Sequence, residues 1–92
     1  MQGIHEQTVQ ITNKRGLHAR AAAKFVKLVE QRRADVRVLK DDMDVCGSSI
    51  MGLLMLSASM NTAIKISVTG EDAKTVLDEL VALVERRFDE GE

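Results

Sequence analysis

The segment Asn13–Arg20, with the sequence NKRGLHAR, places a histidine two residues before an arginine and two residues after a glycine. These residue types at this spacing are suited to phosphoryl chemistry. A neutral imidazole nitrogen can attack phosphorus, and a guanidinium group can bind the phosphoryl oxygens through its planar fork of N–H donors. His18 is therefore a candidate nucleophile, and Arg20 is a candidate phosphoryl-binding residue.

The neighbouring segments place this pair at the start of a helix. An alternating, strand-like pattern precedes the segment and an alanine-rich, helical pattern follows it. The start of a helix presents unpaired N–H groups and the positive end of its dipole, which suits a phosphate and favours the neutral imidazole. Gly16 lets the backbone turn there without a Cβ clash. We therefore expect Gly16, Leu17 and Ala19 to form a phosphate-binding loop around His18.

The sequence indicates no second base, no cluster of metal ligands and no cavity-forming aromatic residue at this site. We therefore expect a site that carries a phosphoryl group and needs neither a metal nor a cofactor. From its position alone, His18 also fits a simpler interpretation, that of a polar surface residue next to a helix. His5 has no comparable setting, and the surface interpretation applies to it.

Composition narrows the possible functions. The 92 residues fit one domain, residues 1–92. A net charge of −1 and the absence of Trp and Tyr argue against binding to nucleic acid or to an anionic membrane. No apolar run is long enough to span a membrane. Cys46, the single cysteine, is expected to be a small half-buried residue, and a cytoplasmic location is predicted.

The hydrophobic periodicities predict seven elements and an α+β fold. Four strands that are each apolar on one side need cover on one face only, which the helices can provide. We therefore predict an open-faced sandwich of order β-α-β-β-α-β-α, with a four-stranded antiparallel sheet and three helices on one face. The predicted elements are strands at 4–12, around Val36 and Val38, at Met43 and Val45, and at Ile64–Val68, and helices at 18–31, 50–56 and 72–88.

The short second helix is apolar almost all round, although only one side of it can face a sheet. Leu53 and Leu56 are the expected core residues. The remaining apolar side chains are expected to form an exposed patch for partner proteins: Ile50, Met51, Leu54 and Met55. The alternative is that all of them belong to the core of a small protein.

Two segments resemble a known family. The run ITNKRGLHARAAAKFVKLV is similar to the active-site segment of the histidine-containing phosphocarrier protein (HPr) family of the bacterial phosphotransferase system, and SSIMGLLML resembles that family's second helix. The order of elements matches over about residues 5–88. The resemblance implies that His18 is phosphorylated on Nδ1, that Arg20 contacts the phosphoryl group, and that Ser49 matches a serine that a kinase modifies in some branches.

The resemblance also implies partners. The family accepts a phosphoryl group from enzyme I and passes it to an enzyme IIA protein, and in some branches a serine kinase or phosphorylase acts on it; we expect a monomer that docks transiently. The sequence has features of both the sugar-transport branch and the nitrogen-related (NPr) branch. The alternative class is an interaction or small-molecule-sensing domain that is not phosphorylated, since fold alone does not decide function.

Two positions depart from the family pattern. Ala21 stands where the family usually has proline, and Asn61 stands where it usually has glycine. Alanine is compatible with a first helical turn, and asparagine is the next best residue for a left-handed backbone conformation. We therefore expect both the chemistry and the fold to survive these replacements.

Overall fold

The computed structural model describes residues 3–90 and has the predicted architecture. Its four strands form one antiparallel sheet of order β1-β4-β2-β3, and the element order β-α-β-β-α-β-α is confirmed. The strands are β1 (Ile4–Gln10), β2 (Ala34–Lys40), β3 (Met43–Cys46) and β4 (Ala63–Gly70), and the helices are α1 (Ala19–Glu30), α2 (Ile50–Met55) and α3 (Ala73–Glu85).

The sheet buries one face because its strands alternate in polarity. In the central strand β4, Ile64, Ile66 and Val68 are buried, whereas Lys65 between them is exposed. The buried side chains join those of α1 and α3 in one hydrophobic cluster, which includes the fully buried Phe25. The helices therefore cover one face of the sheet, and the polar side chains of the other face remain in water. Within residues 3–90, no helix has the length and apolar character needed to cross a membrane.

The C-terminal helix ends earlier than its sequence pattern predicts. The period of apolar residues runs on to Phe88, but α3 stops at Glu85 and the prediction of one helix over 72–88 is wrong at its end. Arg87, Phe88 and Asp89 instead have φ values of 60°, 53° and 62°, the left-handed region. This conformation costs a non-glycine residue about 1–2 kcal/mol. It is held because Phe88 is fully buried and its carbonyl oxygen accepts a hydrogen bond of 2.6 Å from Lys24 Nζ on α1.

The two departures from the family pattern fit the fold. Asn61 has a φ of 72°, the left-handed conformation expected of it, and its N–H donates to the Ile11 carbonyl oxygen at 2.7 Å. Ala21 is completely buried in the first turn of α1. Cys46 differs from expectation: it is exposed rather than half-buried, because it lies at the end of the edge strand β3.

Candidate active site

His18 caps α1 with its own side chain. The helix begins at Ala19, one residue later than predicted, and His18 is the extended residue before it, with φ −80° and ψ 179°. Its Nδ1 atom accepts a hydrogen bond of 3.2 Å from the backbone N–H of Arg20. The predicted placement of the histidine at the helix start is therefore correct, and Nδ1 is the ring nitrogen directed at the helix end.

The loop before His18 is fixed by its contact with the segment that follows α2. Gly16 has a φ of +65°, and a Cβ atom on it would lie 2.5 Å from the Ala58 carbonyl oxygen and 2.8 Å from Ser59 Cα. The N–H of Leu17 donates to that same carbonyl oxygen at 2.8 Å, and the Leu17 side chain is buried. The glycine is therefore needed both for its backbone conformation and for the close approach of two chain segments.

This geometry modifies the predicted phosphate-binding loop. The N–H of Gly16 donates to Asn13 O at 3.1 Å and that of Leu17 donates to Ala58 O, so both groups are already hydrogen-bonded within the protein. These two residues shape the loop rather than offer donors. Ala19 and Arg20 lie in the first turn of α1, where N–H groups have no acceptor within the helix.

A carboxylate that was not anticipated lies on the other side of the imidazole ring. His18 Nε2 is hydrogen-bonded to Glu90 Oε2, and the side chain of Glu90 is only 8% exposed. Asn13, which is fully buried, donates from Nδ2 to Glu90 Oε1 at 2.9 Å and to the Gly16 carbonyl oxygen at 2.8 Å. The expectation of no second base at the site is therefore wrong. Glu90 is 72 residues from His18 along the chain, and no local pattern in the sequence indicates this contact.

Glu90 is ionised at neutral pH. Burial alone would raise the pKa of this carboxyl group, but the hydrogen bonds from His18 and Asn13 outweigh that effect and lower it. The Glu90 side chain is therefore an acceptor with a full negative charge beside Nε2.

Cationic side chains line two clefts next to His18 and Glu90. One cleft of about 240 Å³ is lined by Arg15, Arg20 and Lys24 and also by the carboxylates of Asp89 and Glu90. Arg15 also lines a second cleft of about 200 Å³ that contains His18 and the 57–59 segment. The structure thus places His18 and Arg20 together at the start of α1, in contact through the Arg20 backbone N–H. Arg15 and Lys24, which were not predicted, line the same cleft as the Arg20 side chain.

The N-terminus of α2 is capped by a serine. Ser49 is the cap, since its Oγ accepts a hydrogen bond of 2.9 Å from the Gly52 N–H. Leu53 and Leu56 are buried, which confirms them as core residues.

The predicted apolar surface of α2 is largely present. Met51 is 68% exposed, Met55 62% and Ile50 40%, and we call these three residues the α2 patch. Leu54 does not belong to it, because it is half-buried and packs on the core. Helix α2, which carries the α2 patch, packs against α1, the helix that His18 caps.

An open-faced sandwich in which an arginine accompanies a helix-capping histidine has the features of the histidine phosphocarriers. The profile described as "PTS HPr component phosphorylation site" matches residues 5–86. The chain belongs to this family, and with it has a phosphocarrier role in the phosphotransferase system.

Individual relatives agree with this assignment. The phosphocarrier protein HPr of Neisseria meningitidis is 42% identical over 87 residues, which cover 95% of this chain and 98% of that protein. The phosphocarrier protein NPr of Shewanella violacea is 40% identical, and the match covers 94% of each chain. A crystal structure of HPr from Thermoanaerobacter tengcongensis superposes with a TM-score of 0.89 at 40% identity, covering 94% of this chain and 97% of that one.

The substitution Gly16→Ala tests the support under the histidine. The added methyl group would strain a left-handed residue and displace the backbone at Ala58, so we expect the free energy of unfolding to fall by about 2 kcal/mol or more. Urea denaturation measures this loss. The control Gly3→Ala adds a methyl group where no atom lies within 4 Å and should change stability by less than about 0.5 kcal/mol. Equal stability of the two variants would contradict the packing described here.

Proposed function

We propose that the chain accepts a phosphoryl group on His18 Nδ1 from a phosphoenolpyruvate-dependent enzyme I and passes it to a histidine of an enzyme IIA protein. The observation that carries this proposal is the position of Nδ1 at the start of α1, 3.2 Å from the Arg20 backbone nitrogen. The proposed location is the cytoplasm, where enzyme I uses phosphoenolpyruvate. We propose that the carrier acts as a monomer that docks transiently.

The transfer step needs little from the protein beyond positioning and charge. The lone pair of Nδ1 attacks phosphorus, the bond from phosphorus to the donor histidine breaks, and its electron pair returns to the donor ring. Arg20, with Arg15 and Lys24 around the same cleft, supplies positive charge for the phosphoryl oxygens. The Arg20 N–H, which donates to Nδ1 before transfer, is released when that nitrogen binds phosphorus. No cofactor or metal enters this step.

The proposal covers both the sugar-transport and the nitrogen-related branch. Relatives named HPr and relatives named NPr match the chain at about the same identity, 42% and 40%. The chemistry at His18 is the same for either branch, and the choice of enzyme IIA separates them.

Phosphorylation of His18 is the direct test. Incubation with phosphoenolpyruvate and a general enzyme I should raise the intact mass by one phosphoryl group, and the bond should be acid-labile and base-stable. His18→Ala should remove the modification, whereas the control His5→Ala should retain it.

Arg20→Ala should slow the uptake without loss of folding, because Arg20 is exposed at the helix start and such substitutions change stability by about 0.5 kcal/mol or less.

Two outcomes would contradict the proposal. One is uptake of the phosphoryl group by His18→Ala. The other is the absence of any covalent intermediate in the folded wild-type chain, which would favour a domain that senses or binds without being phosphorylated.

The α2 patch is the proposed docking surface for enzyme I and enzyme IIA. Methionine side chains adapt to several partners, and exposed apolar patches commonly mark interfaces. Met51→Glu should weaken docking to enzyme I about tenfold or more while the melting temperature stays nearly constant. Ile4→Glu is the matched control, since Ile4 is 66% exposed but lies at the start of β1. Equal loss of docking in both variants, measured by titration calorimetry, would argue against the α2 patch.

Ser49 is the proposed regulatory phosphorylation site of a serine kinase. It adjoins the α2 patch at Ile50, so a phosphate there would place a charge where an apolar partner surface must be buried. Ser49→Asp should therefore slow transfer to His18 severalfold. Stability should hold, because a carboxylate can also cap a helix. The control Ser49→Ala should leave transfer unchanged and lower stability by about 1 kcal/mol. Wild-type transfer rates in Ser49→Asp would confine Ser49 to capping.

A further inference from the structure

The two ring nitrogens of His18 have partners of opposite kind. At Nδ1 the partner is the Arg20 N–H, a donor, so Nδ1 is the acceptor and carries no proton. At Nε2 the partner is Glu90, an ionised carboxylate that can only accept. Nε2 must therefore carry the proton. The two contacts together specify one tautomer, with the free lone pair on Nδ1.

Several contacts hold Glu90 in place. Asn13 donates to its second oxygen at 2.9 Å, and Asn13 is itself fully buried and bonded to the loop at Gly16. The residues before Glu90 form the left-handed turn, which the buried Phe88 and its hydrogen bond from Lys24 fix to α1. Arg86 Nε also donates to Asp89 Oδ1 at 2.7 Å across this turn. A strained backbone that delivers one carboxylate to one imidazole nitrogen indicates a functional constraint.

We propose that Glu90 is a positioning residue for phosphoryl transfer, which keeps the proton on Nε2 and stabilises the positive charge that the ring gains when Nδ1 binds phosphorus. This proposal rests on the proposed function of His18. The charge balance is direct. Attack by neutral imidazole forms the Nδ1–P bond, the proton stays on Nε2, and the ring becomes a cation beside the carboxylate. On transfer to the next histidine the Nδ1–P bond breaks and the ring leaves as neutral imidazole.

The same contact bears on onward transfer. If the phosphorylated ring lost the proton from Nε2, the leaving group would be an imidazolate anion, which is a far poorer one. The other charged side chains that line the clefts beside His18 are Arg15 from the loop, Arg20 and Lys24 from α1, and Asp89 from the C-terminal turn. Of the two carboxylates that line these clefts, Asp89 and Glu90, it is Glu90 that is hydrogen-bonded to the ring. Carboxylates that orient and stabilise an imidazole in this way are effective in other enzymes.

The first experiment examines the unphosphorylated chain and does not depend on transfer. Nitrogen-15 correlation spectra of the His18 ring at neutral pH should show Nε2 protonated and Nδ1 bare, with an Nε2–H proton shifted downfield and slow to exchange. Glu90→Gln should lose that downfield proton, because a neutral amide is a weaker acceptor. Glu79→Gln is the control, since it removes a half-buried carboxylate of α3 that pairs with Arg32 and does not line the clefts beside His18. A wild-type ring protonated on Nδ1, or an unchanged proton in Glu90→Gln, would overturn the proposal.

The second experiment measures single-turnover transfer from phosphorylated enzyme I. Glu90→Gln should transfer about tenfold more slowly at saturation, because a charge-assisted hydrogen bond is roughly twice as strong as a neutral one. Its docking affinity should be unchanged, and the control Glu79→Gln should transfer at the wild-type rate. Transfer at the wild-type rate would overturn the role of Glu90. If the wild-type chain took up no phosphoryl group at all, the proposed function would fail, while the spectra would still decide the position of the proton.

Discussion

The imidazole of His18 lies between the start of α1 and the carboxylate of Glu90, and each ring nitrogen has one partner. A nitrogen can act as a nucleophile only while its lone pair is free of a proton, so which nitrogen carries the proton decides where phosphorus can bind. The weak hydrogen bond of 3.2 Å from the Arg20 N–H orients Nδ1 and is easily replaced by a bond from Nδ1 to phosphorus. The hydrogen bond from the other nitrogen to the buried carboxylate is charge-assisted, which makes it the stronger of the two.

The rest of the fold holds these two partners in position around the ring. The antiparallel pairing of β1 with β4 brings the chain before the 13–18 loop alongside the segment that follows α2, so that Ala58 can accept the N–H of Leu17. Gly16 permits the close approach of the two segments, and α1 starts directly after them. At the opposite end of the chain, the burial of Phe88 offsets the strain of three left-handed residues. The sheet and helices therefore serve mainly to set the position and orientation of one histidine.

Local patterns in the sequence were sufficient for much of this account. The alternation in Ile64–Val68 and the apolar face of α1 depend only on neighbouring residues, and so do the turn at Gly16 and the serine cap of α2. The Glu90 contact forms because the helix ends at Glu85 and a left-handed turn follows it. The apolar period does not indicate this turn, since Phe88 is spaced as in a continued helix although its burial is achieved from the turn. The burial of Leu54 and the exposure of Cys46 also differ from the prediction, because neighbouring elements decide burial at the edge of a small core.

The central claim is that phosphorus binds Nδ1 of His18 while the proton stays on Nε2, and the most direct test is to observe both nitrogens in the phosphorylated chain. Nitrogen-15 spectra of the chain labelled at its histidines and phosphorylated by enzyme I should show one-bond coupling of phosphorus to Nδ1 and a proton on Nε2 hydrogen-bonded to Glu90. Coupling of phosphorus to Nε2 would contradict the account, because that bond cannot form while Glu90 occupies the same nitrogen.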